Sequence, residues 1–336
     1  MKQLMFLEPN RLEWQELAEP KLSDPKGALV KPIAVAACDL DIAVVKGYAP
    51  IPGPFPLGHE FVAEVLEVGD EVTSFKAGDV AVVTFQIACG ECPRCAKGLT
   101  GNCTSVKQGS MYGLGLVGGE WGGAWTDVVS VPYAEAMLLP LPAGIEPKTL
   151  ASASDNICDG YRTVGPHLAQ SPGASVLIVS GGASSIPLYA VDIARALGAS
   201  SIDFIDRRPH VLELAERFGA NGIEGPPPAK AGRYAITVDA SGDPAGLSCA
   251  LRSTEPGGIC TSIGIYYQDV PVPLLEMYSK GITFTTGRPH SRADLPQVIS
   301  LIADRKIDPD AIATFVPWES TAEALLEAPV KLISTR

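Results

Sequence analysis

Four cysteines, Cys89, Cys92, Cys95 and Cys103, fall within the fifteen-residue stretch CGECPRCAKGLTGNC. Two Cys-x-x-Cys steps and a longer return bring four thiolates around one point, the closed S4 tetrahedron that structural zinc prefers. A chain carrying this loop is expected to fold a lobe around it. The competing reading is a pair of disulfides. The opening stretch MKQLMFLEPNRLEWQELAEP is interrupted by Glu8, Arg11 and Glu13 and lacks the apolar run of a secretory leader, so thiolate ligation is the better explanation. All four ligands close the site, so such an ion would hold structure and take no substrate.

At 336 residues the chain is long enough for two domains, each with its own core, and 46% hydrophobic with 19% charged residues is an ordinary globular balance. Lys and Arg total 26 against 38 Asp and Glu, a formal charge of −12 that repels phosphate backbones and anionic lipid surfaces. The expectation is therefore no nucleic-acid partner, no membrane partner, and no DNA-binding role for the cysteine loop. No apolar run approaches the length of a membrane span. Eight cysteines without an export signal point to a reducing cytoplasm.

From Met1 to about Leu150 the chain reads as short β-rich runs, such as ALVKPIAVAAC, EFVAEVLEVG and DVAVVTFQ, cut by Gly and Pro. Pro50, Pro52, Pro54 and Pro56 exclude helix from APIPGPFP and make a stiff extended approach to Gly58-His59-Glu60. From about Ser152 the rhythm changes. Apolar strand runs (SVLIV at 175–179, SIDFID, YAITVDAS) alternate with segments of helical period (LYAVDIARALGA, HVLELAERFGA), which predicts right-handed βαβ units and an open parallel sheet. After about Thr286 a helix (LPQVISLIADRK) and a strand (KLIST) are expected.

SVLIV runs into Ser180-Gly181-Gly182-Ala183-Ser184-Ser185-Ile186-Pro187 and then a helix, the place where a doubly wound sheet receives a pyrophosphate. Ser180, Gly181, Gly182, Ser185 and Ile186 are the candidate contacts, although Ser180 and Pro187 stand where the dinucleotide fingerprint has glycines. A tight turn without a ligand is the alternative. Asp206 ends the next strand, where a carboxylate accepts both ribose hydroxyls and repels a 2′-phosphate, favouring NAD. Arg207 and Arg208 follow at once and could accommodate NADP. The plain alternative for Asp206 is a solvated strand end.

Together these features resemble the zinc-dependent medium-chain dehydrogenase/reductase superfamily, of the alcohol dehydrogenase type, over essentially the whole chain. The residues that carry the resemblance are Cys38-Asp39-Leu40-Asp41, Gly58-His59-Glu60, the four-cysteine loop, Phe75-Lys76-Ala77-Gly78-Asp79, Ser154-Asp155 with Gly160-Tyr161, and the glycine turn leading to Asp206. It implies an α/β chain with a GroES-like zinc-binding catalytic domain (1–150 and 287–336) and a Rossmann dinucleotide-binding domain (151–286). It further implies a second, catalytic zinc on Cys38, His59 and Asp155, with the fourth position open to a substrate oxygen. Glu60 would shuttle beside that metal and Asp41 would support a ligand from behind. Taken singly, Cys38 could be a small core residue, His59 a satisfied core histidine and Asp155 a helix cap. Cys158 is close enough to compete as a ligand.

The implied reaction is hydride transfer between a primary or secondary alcohol, or the corresponding aldehyde or ketone, and a nicotinamide cofactor. NAD is favoured, with two zinc ions per chain and a homodimer or homotetramer paired through sheet edges. Leu40 occupies the place where relatives carry a proton-passing Ser or Thr, so Asp39, Tyr48 or water would have to serve. Asp159 would set a charge near the nicotinamide. Trp121, Trp125, Phe55 and Tyr112 are candidates for pocket wall or core. The competing functions are an NADP-preferring carbonyl reductase and a zinc-stapled dinucleotide-binding protein without catalysis.

Overall fold

The computed structural model describes residues 1–336, apart from the side chain of Leu116. Its contacts divide the chain into two units: Met1–Cys158 with Pro289–Asp304 and Pro309–Arg336, and Asp159–Arg288 with Arg305–Asp308. Residues 151–158, expected with the nucleotide-binding half, therefore pack with the first unit.

Glycine and proline keep the early strands short. The chain opens with β1 (Lys2–Glu8), β2 (Arg11–Glu16), β3 (Ala28–Ala36), α1 (Asp39–Val45), β4 (Phe55–Pro56), β5 (Glu60–Val68) and β6 (Val80–Val83). After the cysteine loop come α2 (Gly115–Gly118), β7 (Val129–Val131), α3 (Ala134–Met137) and β8 (Leu138–Pro140). Asn10 turns β1 into β2 with φ of 61°, a left-handed conformation that asparagine tolerates. Pro32 lies inside β3 and has no N–H for the ladder, and the register against β5 slips between Pro32 and Ala34.

The second unit alternates as expected: α4 (Cys158–Gln170, whose first residue belongs to the first unit), β9 (Ser175–Ser180), α5 (Ser185–Ala196), β10 (Ser201–Asp206), α6 (Pro209–Arg217) and β11 (Asn221–Glu224). It continues with β12 (Tyr234–Ala240), α7 (Pro244–Ser253), β13 (Thr254–Ser262), α8 (Leu274–Lys280) and β14 (Thr283–Thr286). The chain then returns to the first unit with α9 (Ser291–Ala303), β15 (Ala313–Pro317), α10 (Thr321–Glu327) and β16 (Lys331–Thr335).

In the second unit the sheet order is β11-β10-β9-β12-β13-β14, with every neighbouring pair parallel. That is the doubly wound order, and the strand sequence reverses between β9 and β12. Val176, Leu177, Ile178 and Val179 are all fully buried, as a central strand covered on both faces requires. In the first unit, β15-β16-β3-β5-β6-β8, with β7 alongside β3, make a seven-stranded sheet, and β2-β1-β4 a smaller one. Phe55, Tyr112 and Trp125 lie in this unit's core, so they are packing residues rather than an open wall. Among the described residues no helix is long and apolar enough to cross a membrane.

Candidate functional site

The cysteine loop closes on itself. The Sγ atoms of Cys89, Cys92, Cys95 and Cys103 all lie within 4.8 Å of one another. Cys103 Sγ stands 3.6 Å from Cys89 Sγ and 3.9 Å from Cys92 Sγ. A tetrahedron with Zn–S bonds of about 2.3 Å has edges of about 3.8 Å, whereas a disulfide needs about 2.05 Å, so the set fits one tetrahedral ion and excludes the paired-disulfide reading. Backbone N–H groups of Cys89, Cys92 and Cys95 point at the sulfurs of Cys103, Cys89 and Cys92 respectively, at 3.3 to 3.5 Å, as thiolates require.

The second cluster is assembled from three segments. Cys38 follows β3 and caps α1. Its Sγ accepts the Leu40 N–H at 3.4 Å, and Asp41 Oδ2 accepts the Cys38 N–H at 3.0 Å. His59 precedes β5, behind Gly58 at φ +92°, where an added Cβ would meet the Trp125 ring at 2.7 Å. Only glycine makes that turn against that ring. Asp155 sits in a π-helical turn, Ala153–Ile157, that packs against α9. One ligand atom each from Cys38, His59 and Asp155 lie within 4.8 Å of one another, and all three residues are buried.

His59 Nε2 meets Asp155 Oδ2 at 3.1 Å, and Nδ1 faces Asp41 Oδ1 at 3.5 Å, too long for a full hydrogen bond. Burial opposes the charged imidazole, yet Asp41 and Asp155 hold it well above its ordinary pKa. Burial, then the neighbouring Asp155 charge, raises the Cys38 thiol. Two carboxylates, a thiol and an imidazole in so dry a place call for a compensating cation, so the donor set of Cys38, His59 and Asp155 fits a metal ion.

Behind these residues lies an ion pair that sequence reasoning missed. Lys331 and Glu60 have fully buried side chains, and Lys331 Nζ donates to Glu60 Oε2 at 2.5 Å, to Asn156 Oδ1 at 2.6 Å and to the Ala37 carbonyl at 2.7 Å. All three ammonium protons are thereby used. Glu60 also accepts from the Asn156 N–H at 2.5 Å and from the Ser152 hydroxyl at 3.2 Å. Burial pushes the Glu60 carboxyl upward and Lys331 pulls it back. Because the Asn156 carbonyl faces Lys331, its amide N–H is turned to Cys38 Sγ, at 3.1 Å. The available signal was a lysine interrupting the otherwise uncharged run KLIST.

Cys158 is buried with its Sγ 3.8 Å from the Ser291 carbonyl. Leu40 is partly buried against the core, Tyr48 is 79% exposed, and Asp159 is paired with Arg162 rather than standing as an uncompensated charge.

At the switch between β9 and β12, Ser180 ends β9 outside the left-handed region, so a serine costs no backbone strain there. A Cβ on Gly182 would meet the Ser241 carbonyl at 2.8 Å, so the turn requires glycine at that place. Ser185, Ile186 and Pro187 form the first turn of α5. Pro187 therefore removes no intrahelical hydrogen bond, but leaves one fewer donor at that helix end. Asp206 is buried at the end of β10, and Arg207 beside it is exposed. Burial opposes the Asp206 charge, but hydrogen bonds and the charge of Arg208 hold its carboxyl below the usual range.

Comparison with known proteins agrees with this construction. The family model of the alcohol dehydrogenase GroES-like domain matches residues 24–143, and that of the zinc-binding dehydrogenases residues 186–304. A Mycobacterium tuberculosis protein named as a probable zinc-binding alcohol dehydrogenase is 31% identical over 318 residues, which cover 92% of this chain and 80% of that one. The glutathione-independent formaldehyde dehydrogenase of Pseudomonas aeruginosa is 34% identical over 232 residues, 64% of this chain and 56% of its own length. The solved alcohol dehydrogenase TADH from Thermus sp. ATN1 superposes with a TM-score of 0.89 at 29% identity, covering 100% of this chain and 99% of that one. The chain belongs to the zinc-dependent medium-chain dehydrogenase/reductase superfamily of the alcohol dehydrogenase type. Membership makes it an oxidoreductase with a GroES-like domain and a Rossmann domain.

Proposed function

We propose that this chain interconverts an alcohol and its aldehyde or ketone by hydride transfer to or from a nicotinamide dinucleotide, NAD ahead of NADP. The observation that carries the reading is the buried convergence of Cys38, His59 and Asp155 in a chain of this family. Zinc held by those three residues would supply Lewis acidity toward the substrate oxygen. The four-cysteine loop would hold a second, structural zinc, giving two per chain.

The remaining work belongs to the protein. Asp41 faces His59 Nδ1 from behind the ligands, and Asn156 holds the Cys38 sulfur. Lys331 keeps Glu60 drawn back beside the ligands, available for a shuttling role. Leu40 has no proton to pass, and Tyr48 is turned out to solvent, so water or Asp39 would take the substrate proton. Ser180, Gly181, Gly182, Ser185 and Ile186 would line the pyrophosphate, and the ionised Asp206, with Arg207 near by, the adenosine ribose. An NADP-preferring carbonyl reductase is a second reading, favoured by the contact between Arg208 and Asp206.

Self-association through the second unit is part of the proposal. β14 ends its sheet, α8 has no buried residue, and Leu274, Leu275 and Tyr278 are 67%, 82% and 83% exposed. Light scattering is expected to give a mass of two or four chains. A monomer at micromolar concentration would refute this part.

The principal test pairs metal analysis with kinetics. The natural chain is expected to hold two zinc ions and to oxidise alcohols with NAD. Cys38→Ala is expected to hold one zinc, to fold, and to lose turnover. Unchanged turnover in that variant would overturn the catalytic assignment.

A further inference from the structure

Asn156 follows Asp155 at once in the π-helical turn Ala153–Ile157, and its side chain reaches the same cluster. Neighbouring residues on a regular α-helix point about 100° apart, so two successive side chains meeting at one cluster are a feature of this wider turn. Asp155 brings a carboxylate to His59, whereas Asn156 brings an N–H to Cys38 Sγ at 3.1 Å. The N–H to sulfur contacts of the cysteine loop are longer, at 3.3 to 3.5 Å. The Asn156 amide can face only one way. Its Oδ1 accepts from Lys331 Nζ at 2.6 Å, and a flipped amide would set its NH2 against the ammonium and its carbonyl against the sulfur. The backbone is fixed as well, since the Asn156 N–H donates to Glu60 Oε1 at 2.5 Å. Asn156 is fully buried, where a hydrogen bond acts in a low dielectric.

The two supports behind the ligands therefore act in opposite senses. The Asp41 carboxylate facing His59 Nδ1 pushes charge toward the ring, although 3.5 Å is too long for a full hydrogen bond. The Asn156 N–H draws charge off the Cys38 sulfur, and hydrogen bonds to a ligand sulfur are one of the levers by which a protein tunes a metal.

We propose that Asn156 is a positioning residue that sets how strongly Cys38 donates to a bound metal, leaving that metal a stronger Lewis acid than the three ligands alone would make it. This rests on the reading of Cys38, His59 and Asp155 as a metal centre, and adds to it the residue that tunes the centre's electrophilicity. The tuning is electronic, distinct from merely keeping the sulfur in place.

The test reads the thiolate-to-metal charge-transfer band of the cobalt(II)-substituted full chain, a transition in which the sulfur gives up the electron. Cys38→Ala, prepared alike, is the blank that removes any contribution from the cysteine loop. Asn156→Asp keeps the shape and the acceptor toward Lys331 but has no N–H for the sulfur. Asn156→Leu removes the donor without adding charge. Without that N–H the sulfur holds its electrons less tightly, so both variants are expected to move the band to longer wavelength while keeping their cobalt. With zinc restored, turnover of an alcohol by either variant is expected to fall about tenfold at unchanged zinc content. A side chain that only braces the site would lower metal content or melting temperature and leave the band where it was. A band in place in the folded, cobalt-loaded variants therefore overturns the proposal, and so does loss of the metal or of the fold in both. Absence of a thiolate band in the natural chain against the Cys38→Ala blank overturns this proposal and the metal-centre reading together.

Discussion

The two ligand clusters of the first unit are built in opposite ways. The cysteine set comes from fifteen consecutive residues, is half-buried at Cys89 and Cys92, and uses nearby N–H groups and the Ser105 hydroxyl to steady its sulfurs. Cys38, His59 and Asp155 come from three separate segments, and their surroundings include Asp41, Glu60, Asn156 and Lys331, all but Lys331 acidic or neutral. A local cluster ties one loop and can be satisfied by its own backbone. A dispersed one has to be kept in charge balance by residues brought from distant parts of the unit.

Breaking each cluster separately is expected to separate their roles. Cys38→Ala should lower kcat/KM by at least about 10³, equivalent to ~4 kcal/mol of transition-state stabilisation, with little change in melting temperature. Cys95→Ser should do the reverse, lowering the melting temperature by on the order of 10 °C while the surviving folded fraction keeps its turnover. Equal losses of stability and activity in both variants, read by calorimetry and initial rates, would erase the distinction. Lys331→Met sharpens it further. Removing one partner of a buried pair leaves Glu60 uncompensated, at a cost of about 3–5 kcal/mol by chemical denaturation, and Lys331→Arg should restore part of it. A loss below about 1 kcal/mol would mean that Glu60 simply takes up a proton and the pair is dispensable.

What the sequence disclosed follows the same division. The cysteine loop was legible from spacing alone, because its ligands are neighbours along the chain. The βαβ alternation from Ser175 onward was legible because each strand and helix carries its own period, and KLIST became β16 residue for residue. The convergence of Cys38, His59 and Asp155 was legible only through family resemblance, since no local pattern links them. Lys331 lies 271 positions from Glu60, and nothing in a single chain predicts that contact. Phe55, Tyr112 and Trp125 were ambiguous between wall and core, because an aromatic ring suits either setting until its neighbours are known. Arg208 was noticed as a charge, but its hydrogen bonds to Ser184 Oγ and the Ala183 carbonyl come from the close approach of two βα turns.

The span between Glu60 and Lys331 has a consequence for biosynthesis. As the polypeptide leaves the ribosome, the acid emerges long before the base that neutralises it. Until translation has reached β16, Glu60 has no ammonium group against it and is either hydrated or protonated. The charged form of Glu60 can be buried only once that late ammonium group has been made.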